Sequence, residues 1–198
     1  METIKLVYID DTPDIDLSRY LDCYSSKDYQ FESKEIEFDP TQDYNSLLSN
    51  PEVQTANIIV IDSRLFENKT VKGGKFTGEE FKLVLQKFFP FIEVIVITQN
   101  ESNPELHIVS KYVKNSEQAG VDYYAEVMPR YIQASVEKIK QYRILADKIN
   151  HNDSWESLLK EKVLGTLNGT QAYDALTKED IDTLICAFKE IRKNINGK

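Results

Sequence analysis

The chain has 198 residues, 41% of them hydrophobic and 29% charged, with a formal net charge of −9. That length accommodates one full domain and an appendage, since single domains commonly run to about 100–150 residues, and the composition excludes the disordered and membrane classes. No run approaches the roughly 18 apolar residues of a membrane span, and METIKLVYIDD is not an export signal, so a cytoplasmic protein with no membrane partner is expected.

The acid excess argues against a direct nucleic-acid partner, because such binding is usually carried by a basic surface. Cys23 and Cys186 are far apart in sequence and set no disulfide or metal framework. Both are expected to be buried free thiols.

Short apolar runs recur at Leu6–Ile9, Ile36–Phe38, Ile58–Ile61 and Val94–Ile97, with a shorter one at Asp122–Tyr124. Runs of this length rich in Val and Ile suit strands buried on both faces of a parallel sheet. Helical patterns fill the gaps at about 14–25, 42–50, 78–88, 104–119 and 129–149. The third opens with Thr77-Gly-Glu-Glu80, the spacing of a capping box.

Five β–α units in succession predict a doubly wound α/β domain over residues 1–150, with a five-stranded parallel sheet. In the fifth helix Ile132, Val136, Ile139, Arg143, Ala146 and Ile149 form one stripe. Residues 151–198 read as a helical appendage that starts after a break at His151-Asn-Asp-Ser154. It carries seven Lys/Arg and eight Asp/Glu, a net of −1, leaving −8 for residues 1–150. Its last helix presents Ile181, Leu184, Ile185, Phe188, Ile191 and Ile195 on one face. That face predicts packing on the first domain or a homodimer through the C-terminal helices.

In an open parallel sheet the functional crevice lies beyond the carboxyl ends of the strands, where strand order reverses. The first strand ends in Ile9-Asp10-Asp11, the third in Ile61-Asp62 and the fourth in Ile97-Thr98. In the order 2-1-3-4-5 the first and third strands are neighbours about 5 Å apart, so Asp10, Asp11 and Asp62 converge with Thr98 at the rim. Three carboxylates so close require a compensating cation, and hard oxygen ligands with room for water suit Mg²⁺.

These segments resemble the receiver domains of two-component response regulators. YIDDTPDI is similar to the acidic opening of such domains, IIVIDSRL to the strand that ends in the phosphoacceptor aspartate, and VIVIT to the strand that ends in a hydroxyl residue. Gly78-Glu-Glu-Phe81 resembles the glycine-led start of their third helix, and Ala119–Tyr124 the approach to their fifth strand. The resemblance covers about residues 3–145.

It implies the flavodoxin- or CheY-like fold and a signalling regulator. Asp62 would be the phosphoacceptor, Asp10, Asp11 and Asp62 the Mg²⁺ ligands, and Thr98 the phosphoryl contact. A histidine kinase or phosphotransfer protein would be the partner, and output would pass through the face of the fourth and fifth elements.

Three departures point to an alternative: the stretch between Asp62 and Gly78 is long and lacks the Met-Pro step common in receivers, the link from Thr98 to Gly120 is extended, and a lysine is missing. Receivers place a lysine just after the fifth strand, and the aligned Ala125-Glu126-Val127-Met128 has none. The long stretch between Asp62 and Gly78 does carry Lys69, Lys72 and Lys75. The alternative is a pseudo-receiver, a constitutive interaction module in a signalling or conflict-response complex that is not phosphorylated. An enzyme is not expected, since no Ser/His/Asp pattern is readable.

Overall fold

The computed structural model describes residues 2–67, 77–114, 118–154 and 156–167. The last predicted helix, Lys69, Lys72, Lys75, Trp155 and Cys186 lie outside these residues. Five parallel strands form one sheet in the order β2-β1-β3-β4-β5: β1 (Glu2–Asp10), β2 (Tyr29–Glu37), β3 (Ile58–Asp62), β4 (Glu93–Thr98) and β5 (Ile108–Ser110). This is the receiver-like α/β fold expected from the sequence.

The helices are α1 (Ile15–Cys23), α2 (Tyr44–Leu48), α3 (Pro51–Gln54), α4 (Gly78–Phe88), α5 (Gly120–Val127), α6 (Pro129–Asn150) and α7 (Ser157–Leu167).

Alternation along β1 explains the two layers of helices. Ile4, Leu6 and Tyr8 join Leu17 and Leu21 of α1, Tyr124 of α5 and Ile132 and Ile139 of α6 in one core. Val7 and Ile9 face the other way, into a core with Leu47, Val53, Phe81 and Leu85 of α2, α3 and α4. Period-two alternation sends neighbouring residues of one strand to opposite faces, so a strand apolar on both faces must be covered on both sides. β3 and β4 are buried at every position.

The charged outer strand β2 alternates half-buried and exposed residues for most of its length and starts seven residues earlier than the apolar run at 36–38 indicated. An exposed edge carrying Glu and Lys is how sheets discourage further pairing, and that same composition hides the strand from a hydrophobic scan.

Helix ends follow their capping residues. Asp14 accepts hydrogen bonds from the amides of Asp16 and Leu17 at the start of α1. Thr77 and Glu80 close the predicted capping box at α4, with amide-to-side-chain distances of 2.8 and 3.2 Å. Of the stripe of α6, Ile132, Val136 and Ile139 enter the core while Arg143 and Ala146 line a cleft toward the following helix, and His151 caps its C-terminus against the Asp147 carbonyl at 2.8 Å. Cys23 is exposed, not buried, because it falls on the last residue of α1, clear of the buried stripe of Leu17, Tyr20 and Leu21.

The segment between β4 and α6 departs from the sequence reading. No helix spans 104–119, and Asp122–Tyr124 is not a strand. The fifth strand is Ile108–Ser110, and Gly120–Val127 is helix. Parallel neighbours usually need a crossover of a dozen or more residues, yet Gln99–His107 connects β4 to β5 without a helix. The short link suffices because β5 pairs only with Val96–Thr98. The chain therefore has to return only about 10 Å along the strand direction. It does so through an antiparallel bridge between Asn103 and Ile108 and a left-handed His107 at φ 54°.

Among the described residues no strand lies beyond the outer edge of β5, and tyrosines donate to its carbonyls. Tyr131 donates to the Ile108 carbonyl at 3.2 Å and Tyr123 to the Ser110 carbonyl at 3.0 Å. Buried backbone acceptors need such partners, so α5 and α6 complete the sheet edge.

α7 follows a break at 151–156 and lies against α6, where Leu164 lines a small cleft with Arg143, Ala146, Asp147 and Asn150.

Candidate functional site

The carboxyl ends of β1, β3 and β4 converge as expected. Carboxylate oxygens of Asp10, Asp11 and Asp62 lie within 4.8 Å of one another. Asp10 and Asp62 are buried, and Asp11 is half-buried. The backbone register holds them there: the Ser63 amide donates to the Ile97 carbonyl at 2.8 Å, and the Phe38 amide to the Asp10 carbonyl at 2.8 Å.

α4 begins directly over Asp62. The Gly78 amide donates to the Ser63 carbonyl at 2.7 Å, and a β-carbon at Gly78 would lie 2.7 Å from the Ser63 α-carbon. Only glycine permits that approach without displacing the backbone of the site.

The sequence reading missed the decisive residue, Lys111. It follows β5 directly, and its amide donates to the Thr98 carbonyl at 2.6 Å, continuing the strand pairing. Its Nζ lies 2.6 Å from Asp62 Oδ1 and 2.9 Å from Asp10 Oδ2. The lysine that appeared to be absent is therefore present, fourteen or more positions before the segment aligned with it. The error came from placing the fifth strand at 122–124. A local signal existed in the β-prone run His107-Ile-Val-Ser-Lys-Tyr-Val113 after Asn103-Pro104.

The remaining atoms of the carboxylates are specifically held. Asp10 Oδ2 also accepts from the Tyr8 hydroxyl at 2.6 Å, and Asp10 Oδ1 from the Thr12 amide at 3.0 Å. Asp62 Oδ2 accepts from the Arg64 amide at 2.7 Å. Thr98 is buried, and its hydroxyl oxygen accepts from Ser63 Oγ at 3.1 Å and from the Asn100 amide at 3.3 Å.

Electrostatics reflect a surplus of acid. Burial raises the pKa of Asp11, reinforced by the charges of Asp10 and Asp62. Burial also raises that of Asp62, opposed by its hydrogen bond and ion pair with Lys111. At Lys111 burial disfavours the ammonium, but hydrogen bonds to Asp62 and Asp10 outweigh it and hold the pKa above the ordinary lysine value. One ammonium facing three carboxylates leaves a net negative cavity.

A divalent cation fits this donor set. The residues are all hard oxygen donors, two of the three are buried, and their charge exceeds what Lys111 neutralises. Among the described residues this is the one grouping of three or more potential ligands, and His107 and His151 take no part in it.

No protein-family model and no curated protein matches the chain. Among solved structures, the chain is similar to the two-component response regulator RcsB in complex with DNA at 16% identity, covering 86% of this chain and 94% of that one, with a TM-score of 0.39. It is also similar to the Salmonella typhimurium RcsB response regulator, described for its conformational dynamism in DNA interaction, at 17% identity, 94% and 100% coverage and a TM-score of 0.39. Likeness at this level concerns the fold alone.

The expectation of no direct nucleic-acid partner is corrected only to this extent: one of the similar structures is a regulator–DNA complex, and the DNA contact is that protein's own. Net charge is a sum over the whole chain, whereas a nucleic-acid contact is made by one face, so the charge by itself does not decide the question. No described helix is long and apolar enough to cross a membrane.

Proposed function

We propose that this chain is a signalling regulator whose receiver-like domain takes up a phosphoryl group on Asp62 with the help of Mg²⁺ and passes the change to a protein partner. The observation that carries this reading is the placement of the Lys111 ammonium between Asp62 and Asp10, at 2.6 and 2.9 Å. It brings a cation to the aspartate expected to accept the group.

Asp10, Asp11 and Asp62 would hold the metal, which supplies charge neutralisation on the transferring phosphoryl group. A carboxylate oxygen of Asp62 attacks phosphorus and forms the new P–O bond. The bond from phosphorus to the donor breaks, and its electron pair leaves with the donor's imidazole nitrogen or acetate oxygen. Lys111 then offers its ammonium to a phosphoryl oxygen, and Thr98 exchanges its Ser63 and Asn100 contacts for a hydrogen bond to the same group.

The site acts as a switch rather than a turnover catalyst in this reading. The expected division into a receiver-like unit and an appendage is kept, with 151–154 and 156–167 of the appendage described. The pseudo-receiver alternative rested on three departures, and Lys111 beside Asp62 answers one of them, the missing lysine.

Acetyl phosphate with Mg²⁺ tests the proposal by intact-mass analysis. One labile adduct of a single phosphoryl group is expected on the native chain and none on Asp62→Ala. An adduct that persists in Asp62→Ala, or none on the native chain, would overturn it.

A further inference from the structure

Two hydrogen-bonded branches leave the acidic site and meet on one buried hydroxyl. In the first, the Tyr8 hydroxyl donates to Asp10 at 2.6 Å and accepts from the Asp14 amide at 3.1 Å. The Asp14 carboxylate divides its oxygens: Oδ1 caps α1 through the Asp16 and Leu17 amides, and Oδ2 accepts from the Tyr124 hydroxyl at 2.7 Å. In the second branch Lys111 bridges Asp10 and Asp62, and the next amide, Tyr112, donates to that same Tyr124 hydroxyl at 3.1 Å.

Tyr8 and Tyr124 are 1% and 0% exposed, so water cannot replace a broken contact, and a lost partner leaves an uncompensated buried group. The ring thus moves as a unit. The β4–β5 connection carries no helix, so an output route through a helix there is unavailable.

We propose that Tyr124 is a positioning residue that couples the acidic site to α1 and α5, its hydroxyl joining the carboxylate branch through Tyr8 and Asp14 to the lysine branch through Tyr112. The inference rests on reading Asp10, Asp11 and Asp62 as a metal-binding site. When a divalent cation draws on Asp10 and competes with Lys111, both branches change at once, and Tyr124 conveys that change to the first turn of α1 and to α5 from Tyr124 onward. A phenylalanine would fill the same core volume and break the junction.

The test is a Mg²⁺ titration of the full chain followed by amide resonances. The Arg64 amide, bonded to Asp62, reports on the site, and the amides of Tyr124–Met128 report on α5. In the native chain both sets are expected to shift. In Tyr124→Phe the Arg64 and Tyr112 shifts are retained and the α5 shift is lost.

If Tyr124→Phe does not fold, Tyr8→Phe carries the test, since cutting the carboxylate branch must diminish the α5 shift. An Arg64 shift without an α5 shift in the native chain overturns the coupling and leaves the metal site standing, and so does an α5 shift unchanged in either folded variant. Absence of any Arg64 shift in the native chain overturns the metal site itself, and the coupling with it.

Discussion

The two halves of the site rim are built differently. Asp10, Asp62 and Thr98 end strands that are buried along most or all of their length, with apolar residues toward both helical layers. Lys111 follows a three-residue edge strand, of which only Val109 is buried. The first half is positioned by its own strands and stays put if its neighbours change. The second is held from outside, by tyrosines of α5 and α6 on the β5 carbonyls and by its ion pairs with the first half. The cation side of the site therefore depends on tertiary contacts that the acid side does not need, which makes it the side able to move.

Lys111→Met should break that comparison most severely. Removing the ammonium leaves two buried carboxylates facing each other, and the loss of one partner of a buried pair costs about 3 kcal/mol. Urea denaturation at neutral pH is expected to register such a loss, with Lys114→Met, an exposed lysine three residues on, close to the native chain. Toward acid pH the gap should narrow as Asp62, whose pKa burial raises, takes up a proton and the ion pair with Lys111 is lost in the native chain. Equal stability of the two variants would remove Lys111 from the site.

On the acid side, Gly78→Ala tests how closely α4 is seated on Asp62. The added β-carbon meets the Ser63 backbone, and overpacking of this kind costs about 2 kcal/mol. A lowered melting temperature is expected together with weakened Mg²⁺ binding. An unchanged melting temperature would mean that the helix start is not in contact with the strand end.

Asp11→Asn is the mildest and has the opposite sign. Asp11 has a raised pKa from burial and the charges of Asp10 and Asp62, so its ionised form destabilises the fold. That penalty grows as pH rises from the ordinary carboxyl range through the elevated pKa and is absent below it. The variant should be slightly more stable than the native chain at pH 7 without metal, by less than about 1 kcal/mol because solvent screens a half-exposed charge, and indistinguishable from it in acid. Added Mg²⁺ should stabilise the native chain and not the variant. A variant less stable at pH 7 would show that Asp11 is compensated by a partner of its own.

Much of this was legible in the residues and some was not. The strands ending in Asp10, Asp62 and Thr98, the Thr77 capping box and the stripe of α6 could be read directly, because each depends on a local periodicity or a cap that short-range chemistry enforces. The segment 99–127 was misread at both its elements. His107–Lys111 is too short for periodicity to identify, and Val121-Asp-Tyr-Tyr124 is equally compatible with strand and helix. Once folded, the choice is settled by packing: Gly120 sits against the Asp16 side chain of α1, a place open to glycine at a helix start, while Tyr124 and Met128 fall on one buried helical face.

By itself, then, the sequence determined the parallel α/β architecture and the acidic crevice, since burial on both faces of β1, β3 and β4 and the acids at their ends are written in consecutive residues. Only the tertiary structure decided where the sheet ends and which lysine completes the site. β5 exists because β4, Tyr123 and Tyr131 satisfy its backbone from three other elements, and Lys111 reaches Asp62 because its amide extends that pairing to the Thr98 carbonyl and sets it beside a carboxylate 49 residues away in the chain.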